Sequence, residues 1–129
     1  MLSSSAGTKE LTKAVAAGDA KKINKILKID KKGVTKGDKI KAKGLNIECR
    51  DVEGKTLLMK AVMIQNIKCV QALIYCSAIV NARDIDGNTP LHLSCEGAEC
   101  DARIIQELVD AHADVDSRNR VGETPLHKV

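Results

Sequence analysis

Gly54-Lys55-Thr56-Leu57-Leu58-Met59 recurs as Gly87-Asn88-Thr89-Pro90-Leu91-His92, and again as Gly122-Glu123-Thr124-Pro125-Leu126-His127. The offsets are 33 and 35 residues. A period of that length marks a supersecondary unit stacked on copies of itself. Register holds upstream, where Arg50-Asp51, Arg83-Asp84 and Arg118-Asn119 precede the three copies, and downstream, where Leu73-Ile74 matches Leu108-Val109.

Each part of the unit has a physical job. Asp-x-x-Gly is a tight turn in which Asp caps backbone N–H groups and Gly accepts a positive φ. Thr is a helix N-cap, and Pro at the first helical position forfeits no hydrogen bond. Leu then opens the apolar face of a short helix. A second helix is predicted to begin near Asn66 and near Asp101. Its buried stripe reads Val70, Leu73 and Ile74 in one copy and Ile105, Leu108 and Val109 in the next, at helical spacing.

A further helix pair lacks the turn motif. Leu11, Ala14, Val15, Gly18, Asp19, Ile23, Ile26 and Leu27 match Leu58, Ala61, Val62, Gln65, Asn66, Val70, Leu73 and Ile74 at a constant offset of 47. Residues 8–28 therefore read as an N-terminal capping pair. Thr12, Lys13, Lys21, Lys22 and Lys25 would supply the polar outer face that a terminal repeat needs. The surplus length falls at residues 29–43.

Over residues 8–27 and 44–129 the chain resembles the ankyrin repeat family. The resemblance implies an all-α solenoid of stacked helix-turn-helix units with projecting turn fingers. It divides a single domain, 1–129, into the capping pair 8–28, the insertion 29–43, repeats 48–80 and 81–115, and an incomplete repeat 116–129. Leu57 and Met59 depart from the family's Pro and His, and two extra residues lie near 96–100. Val129 falls inside the first helix of another unit, so the expectation is a fragment or truncated array.

By the same resemblance, partner contacts fall on the fingers and on the exposed side of the first helices. The fingers are Arg50, Val52, Glu53 and Lys55, then Arg83, Ile85, Asp86 and Asn88, then Arg118, Arg120, Val121 and Glu123. The inner face adds Met63, Ile64, Glu96 and Gly97. The resemblance further implies that His92 and His127 bond to backbone groups and link adjacent turns. Two readings stand for Arg50, Arg83 and Arg118: a basic column, or pairing with nearby Asp51, Asp84 and Asp116 that stiffens each finger.

Composition agrees with thin stacked elements. One Tyr and no Phe or Trp leave the core to Leu, Ile, Val, Ala, Met and Cys. Charge is asymmetric. Residues 1–44 carry twelve Lys against four acidic residues, a net of +8, and the remainder carries a net of −4. Residues 28–44 alone hold seven Lys and two Asp, which reads as a solvated loop. Lys31, Lys32, Lys36, Lys39, Lys41 and Lys43 form an alternative anion-binding element for nucleic acid or acidic lipid. No aromatic residue stands among them to stack on bases, which weighs against nucleic acid.

The five Cys lack zinc-site spacing, no Gly-rich phosphate loop is present, and no nucleophile–base set emerges. The sequence thus points away from catalysis, metals and cofactors. Residues 1–13 hold no secretory signal, no stretch is long and apolar enough to span a bilayer, and free thiols suit the cytoplasm or nucleus. The expected function is a protein–protein interaction module, as scaffold, adaptor or inhibitor. The alternatives are the Lys-rich anion element with the repeats as its support, or a spacer within a larger protein.

Overall fold

The computed structural model describes residues 6–26, 47–76, 78–96 and 100–125. The insertion, with Lys31, Lys32, Lys36, Lys39, Lys41 and Lys43, lies outside them, as do Gly97 and His127. Six helices and no strand occur among the described residues: α1 (Ala6–Ala17), α2 (Ala20–Ile26), α3 (Leu57–Met63), α4 (Ile67–Tyr75), α5 (Pro90–Ser94) and α6 (Ala102–Asp110). They pack as the antiparallel pairs α1/α2, α3/α4 and α5/α6. The first helices α1, α3 and α5 form one layer, and the second helices α2, α4 and α6 form the other.

The caps sit where the repeat predicts them. The Thr56 hydroxyl accepts from Met59 N and the Thr89 hydroxyl from His92 N. Pro90 opens α5. Asn66 Oδ1 accepts from Cys69 N, and Asp101 Oδ1 from Arg103 N. Asn66 also donates from Nδ2 to Gly18 O at 2.8 Å, so one residue caps α4 and ties it to the preceding helix turn.

The core runs through the stack without a break, from Leu11, Val15 and Ile23 through Leu58, Val62, Val70 and Leu73 to Leu91, Ile104 and Leu108. One predicted stripe is corrected. Ile104 and Leu108 are the buried pair of α6, Ile105 is half-buried, and Val109 is 41% exposed. The α4 counterparts of Ile105 and Val109 are Val70 and Ile74, on a helix that α6 covers. Among the described residues no helix lies beyond α6 to cover its outer side.

The helix turns share one backbone device. At Gly18 the chain takes φ +68°, and at the matching position Gln65 takes φ 56°. Both turns close with the same two bonds: Gly18 N to Val15 O and Asp19 N to Ala14 O, then Gln65 N to Val62 O and Asn66 N to Ala61 O. His112, after α6, has φ 70° in the same kind of turn. A left-handed residue after the last helical turn is the usual αL stop, and glycine meets it without strain. Gln65→Gly should therefore raise unfolding stability by about 0.5–1 kcal/mol, net of the entropy that glycine adds to the unfolded chain. Urea titration of the two proteins tests this, and a loss of stability would contradict the turn assignment.

Candidate functional site

Three fingers occur among the described residues, one before α3, one before α5 and one after α6. Each is a four-residue turn closed by a glycine N–H: Gly54 N to Asp51 O, Gly87 N to Asp84 O and Gly122 N to Asn119 O, all at 3.0 Å. Each closes a second time one residue further on, with Asp51 N to Lys55 O, Asp84 N to Asn88 O and Asn119 N to Glu123 O. The first side chain of each turn organises its interior. Asp51 Oδ1 accepts from Glu53 N and Lys55 N, Asp84 Oδ1 from Asp86 N and Asn88 N, and Asn119 Oδ1 from Val121 N and Glu123 N. Desolvation alone would raise the Asp51 carboxyl. The N–H groups of Lys55 and Glu53, with the Lys60 and Lys55 ammoniums, outweigh it and hold the group below the usual carboxylate range.

Neighbouring fingers are bonded to each other. Ile85 N donates to Glu53 O and Arg120 N to Asp86 O, both at 3.0 Å. The arginines reinforce this link: all three are exposed at matching positions of successive fingers, and among the described residues none pairs with Asp51, Asp84 or Asp116. The Arg50 guanidinium donates to Gly54 O in its own finger and to Arg83 O in the next. Arg83 in turn donates to the Ser117 hydroxyl and to Arg118 O, and Arg118 donates to Gly122 O. Backbone carbonyls, not aspartates, are the acceptors, because Asp51 and Asp84 are already engaged by backbone N–H groups and lysines.

Two predicted contact residues turn inward. Asn88 is buried and accepts from Asn119 Nδ2 at 2.9 Å. The Lys55 side chain, only 12% exposed, spans Glu53 at 3.0 Å and the fully buried Asp84 carboxylate at 3.2 Å. Burial alone would lower the Lys55 ammonium, but its two carboxylate partners raise it above the usual lysine value. His92 is buried as well. Its Nε2 donates to Glu123 O at 2.8 Å while Nδ1 accepts from Thr89 N, so it links the α5 cap to the third finger. In the first repeat Met59 takes the capping half of that role, its thioether 3.4 Å from Thr56 N.

Glu123 is half-buried and its carboxylate accepts from Asn119 Nδ2 at 3.4 Å, while the other predicted residues among those described face solvent. Val52 is 98% exposed, Val121 76% and Ile85 53%; Val52 and Ile85 hold the second position of their turns and Val121 the third. Glu53, Asp86 and Arg120 are exposed beside them, and Met63, Ile64 and Glu96 are exposed along the inner layer. Sequence reasoning passed over Ile79 and Val115, exposed in the loops after α4 and α6; for Val115, between Asp114 and Asp116, an aliphatic side chain in a polar loop was a readable signal. It also passed over a groove of about 390 Å³ between α1 and the first finger, lined by Lys9, Thr12, Lys13, Cys49, Arg50, Asp51 and Lys60. Thr12 and Lys13 thus line this groove, facing the finger, where the sequence suggested a polar outer face.

Cys49 and Cys100 are half-buried, and burial pushes the thiols of Cys69, Cys76 and Cys95 up. Among the described residues no group of His, Cys, Asp or Glu is arranged to hold a metal ion, and no helix is long and apolar enough to cross a membrane. A family model described as ankyrin repeats in three copies matches residues 11–119. No curated protein matches the chain.

Lys55→Met should cost about 1–3 kcal/mol, because it leaves the Asp84 carboxylate buried without its cation. Adding Asp84→Asn should recover part of that loss, since Asn119 fills the same turn position in the third finger. Thermal or urea unfolding of the single and double variants reads this out. An unchanged single variant would show that the ion pair is idle.

Proposed function

The chain belongs to the ankyrin repeat family, whose members are in general non-enzymatic modules that bind other proteins, and from that premise we propose that it binds a partner protein through the fingertips and the exposed inner face. One observation carries the reading. Val52, Ile85 and Val121 hold aliphatic side chains in solvent on fingers that are bonded to one another. Nothing in the turns requires those side chains, whose neighbours Asp51, Gly54 and their equivalents do the structural work. Aliphatic groups rimmed by Glu53, Asp86 and Arg120 match the make-up of protein interfaces, where apolar anchors sit inside a polar border.

Because the fingers are bonded to one another, binding costs less loop entropy than it would with independent turns. The working unit on this reading is the array of repeats 48–80 and 81–115 with the capping pair before them and the third finger after them. Its role is that of a scaffold or adaptor in the cytoplasm or nucleus. Arg50, Arg83 and Arg118 act as braces behind the tips.

Capture from nuclease-treated lysate tests this, comparing the native chain with Val52→Asp, Ile85→Asp and Val121→Asp combined. The variant should keep native helicity and lose the specifically captured proteins, with affinity reduced about tenfold or more for any partner isolated. A folded variant that captures the same proteins equally well would overturn the fingertip assignment.

A further inference from the structure

We propose that the groove between α1 and the first finger is a docking site for an extended acidic segment of a partner protein. The proposal rests on the partner-binding reading and names a class of partner for one part of the surface. Four cationic side chains line the groove, Lys9, Lys13, Arg50 and Lys60, against a single carboxylate, Asp51. Asp51 lies 3.6 Å from Lys60, and Arg50 is bonded to backbone carbonyls. Lys9 and Lys13 are exposed and make no ion pair among the described residues. The positive charge of the groove is therefore concentrated on α1 and is free to meet a ligand.

This charge is peculiar to the first groove. Position by position, Lys9, Thr12 and Lys13 of α1 correspond to the cap Thr56 and to Met59 and Lys60 of α3, and Lys60 corresponds to Leu93 of α5. The inner face thus starts basic, then becomes apolar at Met63 and Ile64, and reaches Glu96 after α5. A uniform solvated surface would not change character in this order.

Geometry favours a peptide. Lys9 and Lys13 stand one helical turn apart, so their ammoniums repeat at roughly 6 Å along α1. Carboxylates on alternate residues of an extended chain repeat at about 6.5–7 Å. An acidic strand with Glu or Asp at every second position can thus meet both lysines, with the Thr12 hydroxyl between them. The finger forms the other wall, and Met63 and Ile64 extend the path for apolar residues that follow. Nucleic acid suits the groove less well, since its lining holds no aromatic side chain for stacking.

Fluorescence anisotropy with a labelled peptide of Glu-Thr repeats tests the proposal. The full chain is compared with Lys9→Glu/Lys13→Glu, and with Lys21→Glu/Lys25→Glu, which makes the same change of charge on exposed sites of α2. The groove variant should bind at least about tenfold more weakly at low salt, and the α2 variant within about twofold of the native chain. Equal losses in both variants would show attraction to net charge alone and overturn the site. So would unchanged binding in the groove variant, or tighter groove-dependent binding of an oligothymidylate of equal charge. A neutral fingertip variant, Ile85→Ser/Val121→Ser, keeps all four cations, adds no charge to the groove wall and should bind the peptide within about twofold of the native chain, so failure of the groove and failure of the fingertip reading are told apart.

Discussion

Two backbone hydrogen bonds, Ile85 N to Glu53 O and Arg120 N to Asp86 O, join one finger to the next, and the rest of the surface depends on the spacing they impose. Glycine fits that spacing best. A Cβ on Gly54 would stand 3.0 Å from Ile85 N, and one on Gly87 would stand 3.0 Å from Arg120 N. Both glycines also need φ near +75°, so turn shape and close approach make the same demand. At Gly122 nothing lies within 4 Å, and only the positive φ remains. Each bond contributes about 0.5–1.5 kcal/mol net, so the array gains more from their repetition in register than from any one of them.

Within that spacing the chain varies its chemistry freely. Turn interiors are organised by Asp51, Asp84 or Asn119 with the same pair of bonds. Thr56 is closed by a thioether and Thr89 by an imidazole. The first two fingers are linked through the Lys55–Asp84 ion pair, and the next two through Asn88–Asn119 and His92. Because neighbours tolerate these exchanges, outer positions are left to differ from unit to unit. The result is a surface with a basic groove at one end and an aliphatic ridge along the fingertips.

Much of this was legible in the sequence, because the features that repeat are local. Thr caps, Asp-x-x-Gly turns and the Asn66 and Asp101 starts all rest on contacts within a few residues. Exposure of Val52 and Ile85 followed from the turn itself. What stayed hidden depends on the next unit in space. Lys55 and Asn88 look like surface residues until the following finger covers them. Arg50 sits beside Asp51 in sequence, yet its acceptor across the stack is a carbonyl thirty-three residues on. Val109 repeats Ile74 in sequence but lacks the covering helix that leaves Ile74 half-buried. The groove at α1 escaped notice because its walls come from three separate segments.

A binding surface made of turns is useful only if the turns hold still. Fingertip amides open to solvent exchange freely, whereas amides bonded across a cooperative stack exchange only when the stack opens. The most direct test is therefore residue-resolved hydrogen exchange on the native chain, comparing Ile85 and Arg120 with Val52. The expected result is that Ile85 and Arg120 are protected to within about tenfold of the α3 core amides while Val52 exchanges at close to the unprotected rate. Equal, rapid exchange at all three positions would mean that the fingers move independently, and the preformed ridge would have to be given up.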